Sequence, residues 1–104
     1  MHVGKAIVAV SVTPVGSQSP SVSSYVAAAE RVLRAAGDVG YELGPMFTSI
    51  EGDLGRILGL VQEMQDAVFA AGAERVSTVI KIDERRDKET SMRHKVEAVR
   101  AQGA

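Results

Sequence analysis

Two carboxylates stand at the ends of apolar runs in this chain, where each could meet a ligand. Glu51 closes Met46-Phe47-Thr48-Ser49-Ile50-Glu51, just before Gly52. Asp83 closes Val76-Ser77-Thr78-Val79-Ile80-Lys81-Ile82-Asp83. Ser11, Thr48, Ser49, Thr78 and Lys81 add hydroxyls and an ammonium to segments that are otherwise apolar. A buried carboxylate must be paired or used, because an unpaired charge is costly away from water. Two readings stand: an ion pair, such as Glu51 with Lys81, that locks a subunit interface, or an acceptor for a bound ligand.

Covalent chemistry finds little support. The chain has no Cys, which removes thiol nucleophiles, disulfides and thiolate metal sites together. Of its two histidines, His2 lies in the N-terminal arm and His94 among charged residues, and no Gly-x-Ser-x-Gly elbow is present. One usable His and no Cys make a poor transition-metal site. The loop Gly16-Ser17-Gln18-Ser19 could hold an anion on its backbone N–H groups, but it lacks the Gly-Lys-Ser/Thr of a phosphate loop and reads more simply as a helix-capping loop. It also carries no basic residue for acylphosphatase-like chemistry. The residues therefore offer no catalytic group, metal site or catalytic cofactor, and both readings of the carboxylates stay open.

Twelve basic and 13 acidic residues leave a net charge of −1, so nothing electrostatic favours nucleic acid or an anionic membrane. No apolar run approaches the roughly 20 residues of a membrane span, and Met1–Lys5 is too short and mixed for a signal peptide. A cytoplasmic domain is expected.

The elements that must position these groups follow from periodicity. Lys5–Val12 is almost continuously apolar and β-branched, as a central strand is. Ile7, Ala9 and Ser11 should face one way, and Val8, Val10 and Val12 the other. A helix follows, capped by Ser19 or Ser21 with Pro20 in its first turn, and closed by Gly37. Its buried stripe is Val22, Tyr25, Val26, Ala29, Val32, Leu33 and Ala36. Strands are expected over Gly40–Met46 and Phe47–Glu51, with Pro45 marking an edge or strand end. Asp53 should cap a second helix with the stripe Leu54, Ile57, Leu58, Val61, Met64, Val68 and Phe69. Gly55 and Gly59 interrupt that helix, either as surface glycines or where a partner backbone comes close. Val76–Asp83 is a fourth strand, and Glu89–Ala101 a helix with a thin stripe of Met92, Val96 and Val99.

Strand–helix–strand occurs twice, and each of the first two helices ends in Ala-Ala-Gly. Two such units in one domain spanning 1–104 give an α+β, ferredoxin-like split βαββαβ sandwich: a four-stranded antiparallel sheet with both helices on one face. Residues 1–4 form an arm, and 89–101 an added C-terminal helix. Strands 1 and 4 carry no aromatic residue, so the sheet is no RNA platform. The strands are apolar on both faces, yet two helices cover only one. A homo-oligomer that buries the second face follows, with Ser11, Thr48, Ser49, Thr78, Lys81, Glu51 and Asp83 expected on that side.

Several blocks carry a resemblance. They are Ser11-Val12-x-Pro14, Gly16-Ser-x-Ser-Pro-Ser-Val-Ser23, Tyr41-Glu-Leu-x-Pro-Met-x-Thr-x-Ile-Glu-Gly52, Gly72-Ala-Glu-Arg-Val76 and Ile80-Lys-Ile-Asp-x-Arg-Arg-Asp-Lys88. Over nearly the whole chain they resemble the MTH1187/YkoF-like family of small thiamine-binding proteins. The resemblance implies a ferredoxin-like fold, a dimer or dimer of dimers (a homotetramer), and ligand binding without chemistry. Thiamine or its hydroxymethylpyrimidine part would be held between subunits. On that implication Glu51 and Asp83 would accept from the aminopyrimidine or face the thiazolium. Ser11, Thr48 and Lys81 would add polar contacts, and Met46 and Phe47 apolar walls.

Overall fold

The computed structural model describes residues 5–16, 22–89 and 91–103. Its elements are β1 (Lys5–Pro14), α1 (Ser23–Ala36), β2 (Gly40–Leu43), β3 (Thr48–Asp53), α2 (Leu54–Ala70), β4 (Val76–Glu84) and α3 (Met92–Arg100). The four strands form one sheet in the order β2-β3-β1-β4, and all neighbours are antiparallel. This is the split βαββαβ arrangement expected from the two repeats.

The alternation of β1 sets the two faces. Ala6, Val8, Val10 and Val12 are buried and join Leu33 of α1, Ile50 of β3 and Ile57, Leu60, Met64 and Val68 of α2 in the core. Ile7, Ala9 and Ser11 point to the opposite, open face and stay half-buried. Asp53 caps α2 as anticipated: its Oδ2 accepts from Arg56 N at 2.9 Å. Gly37 ends α1 in the left-handed region, where the absence of a Cβ removes the steric penalty.

Several expectations shift. Ser19, Pro20 and Ser21 lie outside the described residues, as do residues 1–4. The N-cap of α1 is Val22, with no side-chain cap, so Val22 precedes the helix instead of packing within its stripe. Strand β2 stops at Leu43, and Pro45 falls in the turn beyond it. Strand β3 begins at Thr48 and runs on to Asp53. On α2, Leu60 enters the core, whereas Leu58 and Phe69 are exposed. Each of those two stands one residue, or about 100° of helical rotation, beyond a buried neighbour (Ile57 and Val68). Helix α3 starts at Met92, capped by Ser91, whose hydroxyl accepts from His94 N. No residue of α3 is buried.

No helix among the described residues is long and apolar enough to cross a membrane. Gly55 and Gly59 are both exposed, and a Cβ added at Gly59 would meet nothing within 4 Å. Replacing Gly59 by Ala should therefore stabilise the fold by about 0.5–1 kcal/mol, the ordinary helix-interior difference. Denaturant unfolding measures it. A loss of stability instead would mean that another chain's backbone presses against this position.

Candidate functional site

Strand β1 outruns β3. Val10 pairs with Thr48, the first residue of β3, but Ser11 to Pro14 pair with β4 alone. The gap left beside the end of β1 is closed by the β2–β3 turn, by the first half of α1 and by Met64 of α2, and a cavity of about 170 Å³ remains there. Its walls are Val10, Val12, Val26, Ala29, Met64 and the turn residues Leu43–Phe47, with Ser11 and Thr13 on the β1 side. Gly44 makes the turn possible. Its N–H donates to Phe47 O at 2.9 Å, and a Cβ there would lie 2.5 Å from the same oxygen.

Glu30 lies in this apolar wall. It is 8% exposed, and its Oε1 accepts from Thr48 Oγ1 at 3.1 Å. Its Oε2 is buried and has no hydrogen-bond partner. Burial pushes the carboxyl above the ordinary glutamate value, and the Thr48 hydrogen bond opposes that rise without cancelling it. A buried polar atom without a partner costs about 1–3 kcal/mol, so the cavity holds an acceptor, or a donor when protonated, that a ligand can satisfy.

The residues singled out from the sequence divide into two groups. Met46, Phe47 and Thr48 line the cavity, and Ser11 borders it only at the edge of β1, since strand parity turns its side chain to the open face. Thr48 is buried, Met46 is 79% exposed and Phe47 37% exposed at the rim, and Ser11 Oγ lies 3.2 Å from Thr13 Oγ1. Glu51, Lys81 and Asp83 do not join them. Strand alternation puts these three on the open face, where Ile7 of β1 stands opposite both Glu51 and Asp83, and Ala9 opposite Lys81. Thr48 and Thr78 point the other way, Thr78 to Gln65 of α2. The expectation that all these polar groups share one side is thus corrected, because residues of unlike parity along a strand cannot share a face.

Glu51 and Asp83 have other partners. Glu51 Oε2 accepts from Met92 N at 2.8 Å, at the start of α3, and Asp83 pairs with Lys95 one turn further on. The pair holds Asp83 below the usual carboxylate range, through the Lys95 hydrogen bond first and its charge second. The two carboxylates flank Ile7 on adjacent strands, so they tie α3 across one end of the open face. Gly40, opposite Glu51, leaves the room: a Cβ there would come within 3.0 Å of the Glu51 side chain. The Glu51–Lys81 ion pair considered above is replaced by this backbone contact.

Glu30 escaped the sequence reading because it stands between Ala29 and Arg31 and looks like a solvated helix residue. A signal was present. It falls four residues after Val26 and three before Leu33, on the apolar stripe itself. Among the described residues, no group of three or more His, Asp or Glu is placed to hold a metal ion.

Known proteins resemble this chain over most of its length. The sequence profile described as thiamine-binding protein matches residues 8–100. The chain belongs to this thiamine-binding protein family. Relatives include the UPF0045 protein YqgV of Bacillus subtilis, 43% identical over 97 residues, a match covering 90% of this chain and 93% of that one. A UPF0045 protein of Methanothermobacter thermautotrophicus is 44% identical over 90 residues, covering 86% and 90% of the two chains. Among solved structures, MJ1052 of Methanocaldococcus jannaschii superposes with a TM-score of 0.83 at 38% identity, covering 91% of this chain and 95% of that one. TM0486 of Thermotoga maritima, named for thiamine biosynthesis or salvage, shares the fold with a TM-score of 0.77 at 22% identity, covering 91% and 98%.

The raised Glu30 carboxyl has a consequence for stability. Well below the glutamate range the folded and unfolded chains are both protonated at this residue, and it contributes no pH dependence. As the pH rises, the unfolded chain ionises first and Glu30 keeps its proton in the fold, so stability falls until Glu30 itself ionises. Relative to the Glu30→Gln variant, the wild type should lose stability from about pH 4 upward. Urea unfolding of both proteins across that range measures it, and parallel curves would show that Glu30 is not desolvated.

Proposed function

We propose that the protein binds the aminopyrimidine ring of thiamine, or free hydroxymethylpyrimidine, in the cavity beside Glu30 and Thr48, and that it binds without catalysing a reaction. The observation that carries this reading is the buried, unpartnered Oε2 of Glu30 in a wall that is otherwise apolar. An aminopyrimidine answers it, with an exocyclic N–H₂ to donate and a flat ring for Val10, Val26, Ala29 and Met64 to cover. Membership of the thiamine-binding family supports the ligand class. Size supports the ring over the whole vitamin: about 170 Å³ is less than the roughly 300–1,000 Å³ of pockets that enclose drug-sized ligands. The thiazolium would then lie at the mouth, against Met46 and Phe47. In this reading Glu51 and Asp83 serve the tether of α3, Lys81 stays on the open face, and Glu30 takes the acceptor's part.

A second copy of the chain completes the site in this reading. Val22, Leu43, Met46 and Phe47 leave an exposed apolar collar around the mouth, and Val79 of the open face and Val96 and Val99 of α3 are exposed as well. Apolar surface on this scale favours association. Sedimentation of the purified chain should show a dimer or dimer of dimers, and a mass of one chain at micromolar concentration would remove the interface from the proposal.

Calorimetric titration tests the ligand. Thiamine and hydroxymethylpyrimidine should both bind, and Glu30→Leu should weaken both by roughly tenfold to a hundredfold, the worth of a hydrogen bond to a charged group at about 1.5–3 kcal/mol. Replacing a buried ionisable group by an apolar one commonly leaves the fold as stable or more so, so the loss is separable from unfolding. Absence of heat and of any thermal shift with wild-type protein at millimolar ligand would sink the reading.

A further inference from the structure

We propose that Glu30 and the bound ring share a single proton, so that the cavity selects heterocycles with an amidine edge, a ring nitrogen beside an exocyclic amino group. The inference rests on the binding reading above and adds to it a protonation state and a rule of selection.

The argument begins with what surrounds the carboxyl. Glu30 is the only ionisable group among the described residues lining the cavity. Strand β1 contributes Val10, Val12 and Pro14, with Ser11 and Thr13, whose side chains have the opposite parity, at its edge. The β2–β3 turn contributes Leu43 to Phe47, β3 contributes Thr48, and α2 contributes Met64. On α1 itself Val22, Val26 and Ala29 face the cavity, while Arg31 and Arg34 are exposed to solvent. Among the described residues no cation stands against Glu30 inside the cavity, so its charge is to be balanced by a proton or by the ligand. Burial raises the carboxyl above the ordinary glutamate value and so favours the proton.

The Thr48 hydroxyl donates to Oε1, and Oε2 is left to face the cavity alone. A protonated Oε2 is a donor, while Oε1 keeps a second lone pair as an acceptor. That donor–acceptor pair is complementary to an amidine edge. The carboxyl O–H donates to the ring nitrogen, and the exocyclic N–H donates to Oε1. If the proton moves to the ring, the same two hydrogen bonds join a carboxylate to a pyrimidinium and become charge-assisted. Both forms hold one proton between the partners, and nothing else is gained or lost.

The pair fails with either zero protons or two. At alkaline pH a carboxylate faces a ring lone pair, so binding must take up a proton. At acid pH an O–H faces an N–H, so binding must release one. Affinity for an aminopyrimidine should therefore pass through a maximum with pH and fall about tenfold per pH unit on the alkaline side, as one-proton linkage requires. A ring with CH in place of that nitrogen offers no acceptor and leaves the O–H unsatisfied, so it is rejected.

The test is calorimetric titration of the full chain with hydroxymethylpyrimidine between about pH 5 and pH 9, for the wild type and Glu30→Gln, in buffers of differing ionisation heat. The wild type should show the alkaline fall together with uptake of one proton per ring bound. The amide of Glu30→Gln can still donate to the ring nitrogen and accept from the amino group, so it should bind without the alkaline fall. Equal alkaline slopes in the two proteins, or no proton uptake by the wild type, would overturn proton sharing and leave the binding reading intact. If Glu30→Gln does not fold, the buffer dependence of the wild type alone decides. Absence of wild-type binding at every pH would instead overturn the binding reading, and this inference with it.

Discussion

Strand β1 has neighbours on both edges, and its alternation sorts the functional groups of the whole chain. Ala6, Val8, Val10 and Val12 are buried beneath the helices, so Ile7, Ala9 and Ser11 must lie on the open face. Antiparallel registry passes that parity to β3 and β4. Thr48 pairs with Val10 and is committed to the helix side, while Glu51 and Asp83 pair with Ile7 and are committed to the other. No side-chain rotation overcomes a parity, because a one-residue slip would turn the entire core outward.

The two faces have different uses. On the helix side, β1 continues past the end of β3, and the missing strand leaves a cavity whose one ionisable wall residue among those described is Glu30. On the open side, Glu51 and Asp83 hold α3 by polar contacts at its first turn and just beyond. None of α3 is buried, so these contacts and the Ser91 cap position it, not a packed apolar face. Its exposed Val96 and Val99 and Val79 of the sheet stay on the surface of the single chain.

Glu30 is costly to the isolated fold. A carboxyl among valines has lost its hydration and regained one hydrogen bond, from Thr48. An apolar side chain of similar size would serve the packing better. A residue that weakens the fold in the absence of ligand is explained by what it does in its presence. In the proposed reading, the pairing of Glu30 with a nitrogen-rich ring turns that packing defect into a means of recognition.

Much of the architecture was legible in the residues. The unbroken β-branched run of β1, the capping Asp53, Gly37 and the two Ala-Ala-Gly endings report local preferences that survive folding, and with the repeated strand–helix–strand order they determine the split sandwich. The site was legible only in part. Met46, Phe47 and Thr48 adjoin one another in sequence around the β2–β3 turn, whereas the carboxylates that stand out in the sequence, Glu51 and Asp83, are on the other face. Which carboxylate meets Thr48 is a tertiary matter. It depends on how far β1 outruns β3 and on where α1 crosses the sheet, and this brings together residues 18 positions apart. Periodicity marks the face on which a residue lies. Only the packed structure decides what stands against that face, because contact between elements is set by strand lengths and helix placement that no local pattern encodes.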